Sequence, residues 1–83
     1  MTKIHCVKSD DYEAFYVNGK IYNEGNPLNE GNERVLYFIN IANSYGISIN
    51  EIKFGYINLV EHTEYGEFPN DLDELLNYIK WEK

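Results

Sequence analysis

Apolar side chains fall in short stretches along this chain, and their spacing lengthens from two positions near the start to between three and four later. Tyr12–Val17 and residues 20–24, rich in aromatic and β-branched side chains, flank the pair Asn18-Gly19. Asn-Gly accepts the two positive φ values of a type I′ turn, whose twist matches paired strands, so a β-hairpin is predicted. A two-residue loop sets Val17 opposite Lys20, Tyr16 opposite Ile21 and Phe15 opposite Tyr22. One hairpin face then carries Phe15, Val17 and Tyr22, and the other Tyr12, Ala14, Tyr16 and Ile21. With aromatics on both, one face is expected to be covered and the other to be left as an adhesive surface. Residues 3–8 read as a strand before it, with Ser9-Asp10-Asp11 as the turn between.

Residues 25–32 hold Asn, Gly and Pro in loop proportions. Asn32 is a suitable N-cap and Glu33 suits the first turn of a helix. Val35, Leu36, Phe38, Ile39, Ala42 and Tyr45 follow at helical spacing, and Gly46 stands where a helix C′ glycine belongs, which predicts a helix over 33–45. Ile52, Phe54 and Tyr56 alternate with polar or small residues, so 52–60 is a strand, bulged near Gly55 or buried on both sides at its end. A loop over 61–69 leads to Asn70, which caps a second helix with Leu72, Leu75, Leu76 and Ile79 in one stripe and Trp81 in the last turn. The order βββαβα predicts one α+β domain over residues 1–83, a small antiparallel sheet with two helices packed on one face.

Charge changes this picture most. The chain has 14 acids and 7 bases, for a net charge of −7. This argues against direct nucleic-acid binding, which needs a basic face to displace counterions from phosphates, and against a membrane surface held by anionic lipid. Six carboxylates lie between positions 61 and 74 (Glu61, Glu64, Glu67, Asp71, Asp73, Glu74) with no Lys or Arg among them. Tyr65 and Phe68 stand within that run, and aromatics among carboxylates suit contact with a basic partner. No signal-like or long apolar stretch is present, so the expected location is cytoplasmic.

Catalytic and metal chemistry find little support. Cys6 is the one cysteine, set in an apolar run that suits a buried thiol. His5 and His62 lie in different elements without a second ligand at metal spacing. No serine sits in a nucleophile-elbow context, and a core this small rarely encloses a catalytic cleft. The reading is a non-enzyme without cofactor or metal. A second ligand reading uses the glycine-rich approach to the first helix, where Gly31, Asn32 and Arg34 can meet a phosphate and Tyr37 or Tyr16 can stack on a base. Against it, Glu24, Glu30 and Glu33 crowd the same place, and no Gly-Lys-Ser/Thr follows.

Residues 15–25 (Phe-Tyr-Val-Asn-Gly-Lys-Ile-Tyr-Asn-Glu-Gly), with Glu67-Phe68-Pro69 and Leu72 downstream, resemble small proteins of phages and other mobile elements. The resemblance implies a short accessory protein that binds and blocks a host component. The expected role is therefore an anti-defence inhibitor. It would use Glu61, Glu64, Tyr65, Glu67, Phe68, Asp71, Asp73 and Glu74 to occupy a basic surface on a host defence or nucleic-acid-handling protein. The alternative is a homo-oligomeric sponge for a phosphate-bearing nucleotide signal. A plain cellular domain is the third reading.

Overall fold

The fold is given by a computed structural model that describes residues 2–10, 12–25, 31–63 and 66–82, the side chains of 31–35 excepted. Strands β1 (Ile4–Ser9), β2 (Tyr12–Val17) and β3 (Lys20–Gly25) are followed by helix α1 (Gly31–Ser44). A 3₁₀ turn (Ile49–Glu51), strand β4 (Lys53–Tyr56) and a one-turn helix α2 (Leu59–His62) come next. Two further 3₁₀ turns, Leu72–Glu74 and Leu76–Tyr78, lead to strand β5 (Lys80–Trp81). The sheet order is β3-β2-β1-β4-β5, and the class is α+β.

Asn18 and Gly19 both adopt positive φ (52° and 82°), which is the hairpin turn the sequence predicts. Val17 pairs with Lys20 and Tyr16 with Ile21, but Phe15 pairs with Asn23. Tyr22 is thus an extra residue in the ladder rather than the partner of Phe15, and the bulge lies here, not at Gly55. At the far end of α1, Gly46 has φ +70° and the Ile47 amide donates to the Ala42 carbonyl, the six-to-one bond of a glycine-terminated helix.

Three expectations are corrected. The sheet is mixed, because β4 runs parallel to β1 while β1–β2, β2–β3 and β4–β5 are antiparallel. Parallel neighbours require a long crossover, and α1 supplies it. The predicted second helix is absent: its leucine stripe forms two 3₁₀ turns divided at Leu75 (φ −114°, ψ −11°), and its last residues pair with β4 as a strand. Third, both faces of the hairpin are covered, and the helices do not share one. Strand alternation puts Ile4, Cys6 and Phe15 on the face packed by Phe38, Ile41 and Ala42 of α1. Val7, Ala14 and Tyr16 point the other way, into a cluster with Leu59 of α2 and Phe68, Leu72, Leu75 and Ile79.

Gly55 explains how a two-residue strand closes that second layer. A Cβ at this position would lie 2.6 Å from Ile79 Cγ2 and 2.7 Å from the Trp81 ring, so the chain end packs onto bare backbone. At the other edge, the Ile21 amide donates to the Asn70 carbonyl and the Leu72 amide to the Gly19 carbonyl, at 2.9 and 2.8 Å. Residues 70–72 therefore lie against the start of β3.

Candidate binding site

The acidic stretch starts at the end of the sheet beyond β1 and β4 and runs to the hairpin turn, where Asp71 and Asp73 lie. Ile57 is buried after β4 and its amide donates to the Lys8 carbonyl at 3.0 Å. The Leu59 amide donates to Ser9 Oγ at 3.3 Å, which fixes where α2 begins. Its C-terminus is closed by Thr63, whose hydroxyl and amide both donate to the Leu59 carbonyl. The returning segment is held by Phe68, stacked on Tyr12 (5.9 Å between centroids, 17° between planes) and edge-on to Tyr16 at 6.5 Å. The Tyr16 hydroxyl donates to the Pro69 carbonyl at 2.7 Å. Burial pushes the Tyr16 phenol well above its ordinary range, with Glu24, Glu74 and Asp71 adding to the shift.

Between these fixed points lies an open cleft of about 370 Å³ lined by His62, Thr63, Glu67, Phe68, Pro69, Glu74 and Leu75. Phe68 and Leu75 are core residues and form its apolar floor, while Glu67 and Glu74 are exposed. His62 stacks on Tyr78 at 4.2 Å between centroids and 15° between planes, and Tyr78 is about half exposed (49%). This flat ring pair joins α2 to the second C-terminal turn. No sequence pattern signals it, since the two rings are far apart along the chain and meet only because the leucine stripe breaks into separate turns. Val60, also in α2, is 79% exposed.

The sequence-predicted partner residues divide accordingly. Glu61, Glu67, Asp73 and Glu74 are exposed, and none of them joins an ion pair among the described residues. Asp71 is paired with Lys20 by a hydrogen-bonded salt bridge that raises the lysine's pKa, so its charge is already answered within the molecule. Glu64 and Tyr65 lie outside the described residues. Phe68 is corrected from exposed anchor to buried staple: only 7% of its surface is accessible, because its ring fills the gap between the returning segment and β2.

The second ligand reading also loses a member. Tyr16 belongs to the layer under the C-terminal turns, whereas Tyr37 packs against the α1 layer and accepts a hydrogen bond from Asn23 Nδ2 at 3.0 Å. The two rings are on opposite faces of the sheet and cannot grip one ligand. Gly31 and Asn32 open α1 as described, and the side chain of Arg34 lies outside the described residues.

Among the described residues, no group of three or more His, Cys, Asp or Glu side chains is arranged to hold a metal ion. Cys6 is buried. No described helix is long and apolar enough to cross a membrane. Comparison with family models, curated proteins and solved structures finds no match for this chain.

Proposed function

We propose that this chain is a non-catalytic binding protein that docks on a basic protein surface through the cleft between α2 and the first C-terminal turn. Its partner would be a protein whose Lys- or Arg-rich face normally grips nucleic acid, and docking would block that face. One observation carries the reading: Glu67 and Glu74 flank a single open cleft with an apolar floor, beside a stacked imidazole–phenol pair. A guanidinium group suits such a place, since it accepts carboxylate contacts in its plane and stacks on flat rings above and below. Glu61 and Asp73 lie outside the cleft and would act at longer range, raising the association rate more than the lifetime of the complex.

The test uses an oligoarginine peptide as the cationic probe, titrated into ¹⁵N-labelled protein at several salt concentrations. Affinity should fall steeply with salt, and the moving amides should centre on His62, Glu67, Glu74 and Tyr78. Glu67→Gln with Glu74→Gln should weaken binding about tenfold, as expected when charge-assisted contacts are lost. Asp10→Asn, an exposed acid at the β1–β2 turn, should change it little. Salt-independent binding, or equal loss in both variants, would refute a defined site.

A further inference from the structure

A group of cationic side chains lies at the start of β1 and β4. β1 and β4 are parallel, and His5 and Lys53 are register partners on one face. Lys3 precedes β1 on the same side by alternation, and its amide donates to Asn18 Oδ1 at 2.9 Å, which ties it to the hairpin turn. Lys3, His5 and Lys53 line a cleft of about 420 Å³ with Thr2, Ile4, Asn50 and Glu51. Lys3 and His5 also border an adjoining cleft of about 410 Å³, whose other lining residues include Asn18, Leu72 and Asp73.

In a chain of net charge −7, two lysines and an imidazole converge on one cavity. Neither lysine is in an ion pair among the described residues, although Glu51 shares the wall. The lining holds two ammonium groups against the single carboxylate of Glu51, and this excess of positive charge suits an external anion. The imidazole of His5 lines the same cleft. His5 Nδ1 is buried and has no hydrogen-bond partner among the described residues, an uncommon condition for a buried polar atom. Burial lowers the His5 pKa, and the ammonium groups of Lys3 and Lys53 lower it further.

We infer that this cleft is a binding site for a small phosphate-bearing molecule, with the phosphate held between the Lys3 and Lys53 ammonium groups beside His5. The Asn50 amide and the Thr2 hydroxyl line the same wall and supply neutral donors. A phosphate dianion answers both lysines at once, which a carboxylate cannot do with its single charge. This site is independent of the acidic cleft and uses none of its residues.

Trp81 provides the readout. It is the sole tryptophan of the chain, and its ring lies 5.2 Å from that of His5. Inorganic phosphate titrated into the full chain should change Trp81 fluorescence saturably and shift the amides of Lys3, His5 and Lys53. Lys3→Gln with Lys53→Gln should weaken the apparent affinity about tenfold or more, since two charge-assisted contacts are lost. Both lysines are exposed, so the unfolding midpoint should hold. Lys8→Gln, an exposed lysine at the other end of β1, should bind like the parent. Absence of saturation in the millimolar range, equal weakening by Lys8→Gln, or acetate binding as tightly as phosphate would each overturn the assignment.

Discussion

Adding one methyl group at Gly55 tests how the C-terminal layer is held. In an ordinary strand interior, Gly→Ala is stabilising by roughly 0.5–1 kcal/mol, because glycine loses more backbone entropy on folding. Here the new Cβ would sit 2.6 Å from Ile79 Cγ2 and 2.7 Å from Trp81 Cε3, against an ordinary contact of 3.4–4 Å. Ile79 is buried at 8% exposure and cannot swing into solvent, so β5 must lift or β4 must shift. Overpacking of this kind costs about 1–3 kcal/mol. Subtracting the entropic gain at the midpoints of both ranges leaves Gly55→Ala destabilised by roughly 1 kcal/mol. In a domain of this size that corresponds to a fall in melting temperature of about 4–8 °C. Urea unfolding followed by far-ultraviolet circular dichroism gives the magnitude. The fluorescence of Trp81 should change before the main transition if β5 detaches first. A variant as stable as the parent, or more stable, would show that the indole and Ile79 do not rest on Gly55.

Phe68→Ala should cost about 3–5 kcal/mol in urea unfolding, as for other buried aromatic truncations, whereas an exposed anchor would cost almost nothing. Tyr16→Phe should lose about 1 kcal/mol near neutral pH, because the Pro69 carbonyl loses its donor. The Tyr16 phenol titrates above its ordinary value of 10.0 in the folded state, chiefly through burial. The neutral form is therefore favoured by folding, and its contribution is full below pH 10 and lost as pH rises through the folded-state pKa. The stability gap between parent and Tyr16→Phe should narrow from about pH 10 upward. A constant gap across that range would contradict the burial of the hydroxyl.

Local chemistry made the hairpin, β1 and the end of α1 legible. Asn18-Gly19 and Gly46 each require positive φ, and a signal of that kind does not depend on the rest of the chain. The C-terminal segment misled because Leu72, Leu75, Leu76 and Ile79 satisfy a helical stripe. In the structure Leu72 and Leu75 are buried at a three-residue interval while Leu76 is 42% exposed. Pairing of Lys80 and Trp81 with β4 draws the chain straight, and a tertiary contact outweighs helix propensity. The parallel approach of β4 to β1 was equally hidden, since it depends on where α1 returns the chain. Of the candidate site, the run of carboxylates was readable as composition. Its cleft and the contact of His62 with Tyr78 were not, because both depend on that broken stripe.

Residues 70–72 rest on one flank of the sheet and residues 80–82 on the other, where the Glu82 amide donates to the Phe54 carbonyl. A single short length of chain thus covers the start of β3 on one side and β4 on the other, and keeps both from meeting strands of other molecules. Loss of the segment from Asn70 onward would bare β3 and β4 together, turning the sheet into a template for edge-to-edge association.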